Sequence, residues 1–336
     1  MDFIKPRRLI PGKSIIGLIA PSGILDEKDK NSLEKSLKII KNWGFEVKLG
    51  KYIFAKRKDF CAGETQERFA DFLEMVNNHE VGAIGCLIGG YALLDLLKLL
   101  TSDVCQEIIA KPKIIFGYSD FSLILNVLFS QKMIGFHAPN VAGLYQRSLN
   151  TQKSLLLSLI GEDPLEIGPW FDWKPLRKGF AKGRLLVSNL ESLINLLGTD
   201  FDPLVKSEAD LILALEEVGE SKSTLNRWLQ KLAIHSQAAK IKGIILGRFT
   251  KIGEKFYPSW GEEMGVEQLF ETAFGRRKIP LASWPEFGHI EEKTGIFKIS
   301  RTRERVDFYS LPSGVEAILK VKDSSCRLKF LERPLI

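Results

Sequence analysis

The strongest constraint in this chain is an alternation running from Ile15 to Phe129. Short apolar runs that end in turn residues take turns with stretches of helical periodicity. Ile15 to Ala20 is such a run, closed by Pro21-Ser22-Gly23, and its length suits a buried strand. Leu33, Leu37 and Ile40 then fall at i, i+4 and i+7, and Gly44 stands where a helix would stop. Phe45 to Leu49 reads as a second strand. Glu64 to Asn77 reads as an amphipathic helix with Phe69, Phe72, Leu73 and Val76 on one face. Val81 to Ile88 is a third apolar run, closed by Gly89-Gly90. Helical signals resume at Leu93, Leu94, Leu97 and Leu100. Lys113 to Phe116 predicts a further strand, and Asp120 to Phe129 a helix. Strands that alternate with helices argue for a parallel sheet covered on both faces.

The middle changes character. Gly161 to Gly179 carries Pro164, Pro169 and Pro175 with Trp170 and Trp173, and reads as a linker or a loop over a cleft. Beyond it, Leu190 to Leu197 predicts a helix with Ser188 and Asn189 as caps. Leu211 to Leu215 and Ile241 to Leu246 predict strands. Leu225, Trp228, Leu229 and Leu232 mark one helix, and Val266 to Phe274 another. From Gly295 onward, short alternating runs look β-rich. The expected organisation is an N-terminal α/β domain over 1–145, a linker over 146–178 and a second domain over 179–336.

Composition excludes several classes. With 45% hydrophobic and 26% charged residues, a chain of 336 residues is ordinary globular protein with room for two domains. No window offers the roughly 20 apolar residues of a membrane span, and the apolar core of a signal peptide is missing, so the expectation is an unexported, soluble chain. Cys61, Cys86, Cys105 and Cys326 lie far apart with no C-x-x-C pair, which argues against a zinc or redox motif. Cys86, inside an apolar run, reads as a buried inert thiol. The net charge is +7. Lys56-Arg57-Lys58 and Arg301, Arg303 and Arg305 are basic clusters, but no nucleic-acid motif accompanies them, and solvated surface is the simpler reading.

Three segments place a reactive residue directly after a buried strand, where ligands bind in open α/β sheets. Ser119 follows Ile114 to Gly117 at a strand-to-helix turn that can project its hydroxyl; it could equally cap the next helix. Glu216 follows Leu211 to Leu215 and could orient a histidine, or belong to a solvated acidic loop. His289 follows Phe287-Gly288 in a loop, free to face a cleft or to serve structure. Of the other histidines, His79 and His235 read as surface residues and His137 as structural. Together the three give the order Ser, acid, His, with the imidazole as general base and the carboxylate fixing its tautomer. Gly89-Gly90-Tyr91 adds a turn where backbone can approach a ligand closely, or merely a tight turn. The N–H groups of Gly90 and Asp120 are the candidate oxyanion hole, with Gly89 and Tyr91 as candidate substrate-binding positions.

Several stretches, taken jointly, resemble the LD-carboxypeptidase family of serine peptidases, which contains muramoyltetrapeptide carboxypeptidases and microcin C immunity hydrolases. They are Ile19-Ala20-Pro21-Ser22-Gly23, Phe60-Cys61-Ala62-Gly63 with Glu67-Arg68, Gly89-Gly90-Tyr91, and Gly117-Tyr118-Ser119-Asp120. Further along come Ser188-Asn189-Leu190 ahead of Gly198-Thr199, Leu215-Glu216-Glu217, Asn226-Arg227, and Phe287-Gly288-His289. The resemblance implies a flavodoxin-like N-terminal half, a mixed, β-rich α/β C-terminal half and a homodimer. It implies Ser119 as nucleophile, Glu216 as orienting acid and His289 as base, with no metal and no organic cofactor. The implied reaction removes the terminal D-alanine from the peptidoglycan (murein) tetrapeptide in the cytoplasm.

The chain departs from the family pattern at Ile88, Ala92, Ser188, Asn226 and the segment ending Phe297-Lys298-Ile299-Ser300. Those departures bear on substrate choice. Two other readings therefore stand beside the carboxypeptidase. One is an immunity-type hydrolase of acyl-sulfamoyl or phosphoramidate adenylates, with Trp170 and Trp173 stacking on the base. The other is a catalytically silent protein that binds cell-wall peptides. No nucleic-acid or membrane partner is expected.

Overall fold

The computed structural model describes residues 2–56, 61–253, 264–290 and 307–336. In chain order the first half runs β1 (Ile15–Ile19), α1 (Glu27–Asn42), β2 (Glu46–Leu49), α2 (Thr65–Asn77), β3 (Val81–Cys86) and α3 (Ser102–Ala110). It continues with β4 (Ile114–Gly117), α4 (Ser122–Ser130), β5 (Gly135–His137) and α5 (Leu149–Ile160). The second half holds β6 (Glu166–Ile167), β7 (Lys174–Arg177), β8 (Gly179–Asn189), α6 (Leu190–Ile194), α7 (Pro203–Lys206) and β9 (Leu211–Val218). It ends with α8 (Lys222–Ile234), β10 (Ile241–Thr250), α9 (Val266–Phe274), β11 (Leu281–Ser283), β12 (Leu311–Ser313), β13 (Glu316–Val321) and β14 (Cys326–Phe330).

Two sheets define two α/β domains. The first has strand order β12-β5-β4-β3-β1-β2. Its strands β2, β1, β3, β4 and β5 are mutually parallel, which is the flavodoxin-like order. The apolar runs explain this: every residue of β4 is buried, as a strand covered on both faces requires. The second sheet has order β6-β14-β13-β8-β9-β10-β11-β7. Its centre, β8 to β11, is parallel, and its flanks are antiparallel, so it is mixed.

Two features tie the halves together. Helix α4 is buried along its whole length and packs on β8 as well as on its own sheet. Its Asn126 Nδ2 donates to Ser188 Oγ at 2.9 Å. Strand β12, from the C-terminal third, adds antiparallel to β5 in the first sheet.

The segment 146–178, expected to be a linker, is built otherwise. It holds α5, and β6 and β7 close the two edges of the second sheet. Its prolines mislead because proline is tolerated on edge strands, and Pro175 sits on one. Trp173 is held there by stacking on the fully buried Trp284, with ring centroids 5.1 Å apart. Arg57, Arg301, Arg303, Arg305, Phe60 and the segment 297–300 lie outside the described residues.

Candidate active site

Loops at the carboxyl ends of β1, β3 and β4 converge, and the side chain that joins them is Asp120. Its Oδ2 accepts from Ser22 Oγ at 2.5 Å, Ala92 N–H at 2.9 Å and Leu93 N–H at 3.0 Å. Burial pushes the Asp120 carboxyl up, opposed by these donors. Gly23 N–H donates to Gly89 O at 2.9 Å, closing the same junction. Arg68, fully buried on α2, braces it from behind by donating to Pro21 O and Ala92 O. The sequence marked Asp120 for its backbone N–H; its side chain has this second task, and Ser22 was not singled out.

Ser119 begins the turn after β4 with φ at 64°. A non-glycine residue in this left-handed region is strained, and such strain clusters at functional turns. The conformation aims the hydroxyl out of the sheet, as the strand-turn-helix pattern predicts. Gly89 lies against it: a Cβ added there would meet Ser119 Cβ and Oγ at 2.8 Å.

Glu216 lies within β9, which runs on past the expected end at Leu215, and pairs with Asn189 of β8; it is fully buried. His289 comes from the loop after β11. Gly288 permits this approach, with φ at 97° and a hypothetical Cβ only 2.6 Å from Glu216 Cβ. His289 Nδ1 lies 2.7 Å from Glu216 Oε2, and the His289 N–H donates to the same oxygen at 3.2 Å. His289 Nε2 lies 3.0 Å from Ser119 Oγ. The three side chains thus form one continuous relay drawn from three distant segments.

Electrostatics fit the geometry. Burial opposes protonation of His289, but the Glu216 charge and hydrogen bond outweigh it and raise its pKa. Glu216 is held down despite burial, by the His289 charge and hydrogen bond. The pair therefore favours a carboxylate beside an imidazole ready to accept a proton. Glu217, the next residue, is pushed up to about 7, first by burial and then by the Glu216 charge.

The relay opens into a cleft of about 620 Å³. Gly89, Gly90, Tyr91, Tyr118, Arg147 and Lys251 are among its lining residues. Arg147 Nη2 donates to the Tyr118 hydroxyl at 3.1 Å, and the Tyr118 ring packs 4.9 Å from the His289 ring. Sequence reading did not find Arg147 or Lys251, because isolated basic residues carry no local signal.

Other sequence readings resolve as follows. All four cysteines are buried, and none is in a disulfide among the described residues. His79 is exposed as expected, but His235 is not a simple surface residue: its Nε2 lies 2.9 Å from buried Asp202. Trp170 and Trp173 do not line the cleft. Trp170 is exposed, and Trp173 is half-buried and stacked on Trp284, so the pair that the immunity-type reading would set against a base does not border the cleft. Of the departures, Ile88 lines the cleft, Ser188 is buried against Asn126, and Asn226 is exposed. Among the described residues no group of three or more potential metal ligands occurs, and no helix is long and apolar enough to cross a membrane.

Fold and site define a two-domain α/β protein in which a serine, a histidine and a glutamate meet where the two sheets adjoin. The model of the LD-carboxypeptidase N-terminal domain matches residues 16–138, and that of the C-terminal domain matches 182–297. The chain belongs to the LD-carboxypeptidase family, a family of peptidases. It is 29% identical over 281 residues to the murein tetrapeptide carboxypeptidase of Pseudomonas aeruginosa, covering 82% of this chain and 87% of that protein. It is 26% identical over 304 residues to the microcin C7 self-immunity protein MccF of Escherichia coli, covering 82% and 85%. A structure of MccF with glutamyl sulfamoyl guanosine has the same fold, with a TM-score of 0.80 at 20% identity over 99% of this chain and 100% of that one. The muramoyltetrapeptide carboxypeptidase of Oxalobacter formigenes gives a TM-score of 0.76 at 22% identity, over 96% and 100%.

Proposed function

We propose that this protein is a serine LD-carboxypeptidase that hydrolyses the amide linking an L-centre to the terminal D-residue of murein tetrapeptide. The observation that carries the proposal is the relay from Ser119 Oγ through His289 to Glu216, at 3.0 and 2.7 Å. Ser119 Oγ attacks the scissile carbonyl while His289 Nε2 takes its proton. The N–H groups of Gly90 and Asp120 receive the developing oxyanion; loss of one such donor costs roughly 3–4 kcal/mol of barrier. His289 then gives its proton to the leaving amine of the D-residue. Water, deprotonated by the same imidazole, releases the acyl group from Ser119. Arg147 and Lys251 put positive charge on the cleft wall, suited to the terminal carboxylate. Gly89 and Tyr91 border the same space.

The relative in Pseudomonas aeruginosa supports this substrate class, and we propose further that the protein acts in cell-wall recycling as a cytoplasmic homodimer. Light scattering of the purified chain tests the dimer. The substrate test is mass spectrometry of murein tetrapeptide incubated with wild type and with Ser119→Ala. Tripeptide formed by wild type alone is the expected result. Turnover of aspartyl sulfamoyl adenosine without turnover of tetrapeptide replaces the proposal with an immunity-type hydrolase. Binding of tetrapeptide with neither product formed leaves a silent binding protein.

A further inference from the structure

His137 ends β5, beside β4, the strand that leads into Ser119, with Gly117 as its partner in register. It is fully buried, stacked on Phe308 with ring centroids 5.7 Å apart, and takes no part in the relay. Its Nδ1 faces Ser122 Oγ at 3.5 Å. That hydroxyl accepts from the Asn189 N–H at 3.2 Å and keeps its own hydrogen available for Nδ1. A bond donated by Ser122 Oγ to Nδ1 goes with the His137 proton on Nε2. Burial holds this imidazole neutral, down to about 4.

Among the described residues Nε2 has no partner. Neither does Glu216 Oε1, since both bonds from His289 go to Oε2. A buried donor and a buried acceptor are thus both unmatched behind the same relay. They share surroundings: the His137 ring lies 6.1 Å from Tyr118 and 6.2 Å from Phe287, and Tyr118 packs on His289. His137 also lies within reach of the Glu216 charge. Buried polar groups are satisfied by protein or by ordered water, and about one buried water per 27 residues is usual.

We infer that His137 Nε2–H donates to Glu216 Oε1 through one buried water, which makes His137 a positioning residue for the catalytic carboxylate. The inference rests on the hydrolase reading above. Glu216 must present Oε2 to His289 in one orientation, and a donor on Oε1 fixes its rotation. Outer partners of this kind usually matter tenfold or more where a reactive group must be oriented. The charged and titratable groups around the Glu216–His289 pair are His137, Tyr118, Glu217, Arg147 and, on the cleft wall, Lys251. None of these donates directly to Oε1.

The test uses the pH dependence of Ser119 inactivation by a fluorophosphonate, in which the serine oxygen bonds to phosphorus and fluoride leaves. It needs no knowledge of the natural substrate. His137→Phe keeps the ring and removes the donor; His137→Gln keeps a donor at the position of Nε2. Losing the donor leaves Glu216 more basic, so the proton shared with His289 is held to higher pH. His137→Phe is expected to move the acid limb up by about half a unit or more and to slow the plateau rate about tenfold. His137→Gln is expected to restore both. Identical profiles for the two variants, shifted or not, overturn the inference. If His137→Phe does not fold, a high-resolution crystal structure of wild type decides: no water bridging Nε2 and Oε1 overturns it. Failure of wild type to react at Ser119 overturns the hydrolase reading instead, and that structure still tests the bridge.

Discussion

Ser119, Gly89 and Glu216 make the residue-scale account falsifiable. Gly89 has no room for a side chain because Ser119 occupies the space. Gly89→Ala must displace either Ser119 or the β3 turn, and for a nucleophile at Ser119, as proposed, a displacement near 1 Å typically costs about 100-fold. The expected outcome is that loss in kcat/KM with an unchanged circular dichroism spectrum. Glu216→Gln keeps the shape and removes the charge. Because that charge is what lifts His289 against burial, the variant's acid limb should move to lower pH. Its kcat should fall about 10³- to 10⁴-fold, as when a relay acid is neutralised elsewhere. Steady-state rates across pH check both. At this scale the sequence pointed to Ser119 and Glu216 as polar residues after apolar runs and to His289 in the loop after another, and the family resemblance joined the three, which the structure brings within hydrogen-bond distance. It hid Ser22 and the carboxylate task of Asp120. Those roles depend on contacts between residues as far as 98 positions apart, with no local pattern to betray them.

The central elements were legible because parallel strands buried on both faces must be nearly continuous apolar runs, and β1, β3, β4, β9 and β10 are. The edge elements were not. Strand β6 has two residues and β7 carries a proline, so neither shows the alternation of a half-buried strand. What fixes β7 is packing: Trp173 stacks on Trp284, whose Nε1 donates to Glu286 Oε2 at 2.9 Å. Trp284→Ala should therefore lower unfolding free energy by about 3–5 kcal/mol in urea titrations. Trp170→Ala, at an exposed position, should stay within about 0.5 kcal/mol.

Across the whole molecule, the two domains are joined by buried α4 and by β12 crossing to the first sheet, a connection that short tail strands could not announce. Stability of the assembled chain should depend on pH through Asp163, between α5 and β6. Burial pushes its carboxyl up to about 7, with only Ser158 Oγ donating to it and Oδ2 unpartnered among the described residues. A carboxyl raised on folding favours the native state fully below its unfolded pKa, near 4. That contribution is lost as pH rises through 7. Between pH 5 and pH 8 wild type should lose on the order of 2–4 kcal/mol that Asp163→Asn does not lose. Thermal melts of the two proteins at both pH values check this.

The central claim is that one serine, at one turn, is made nucleophilic by an imidazole brought from the other half of the chain. The most direct measurement is peptide mapping of the protein after exposure to a fluorophosphonate near pH 8. The account predicts a single adduct on Ser119, absent in Ser119→Ala and formed at least about 100-fold more slowly in His289→Ala. An adduct on another residue, or none on folded wild type, contradicts it.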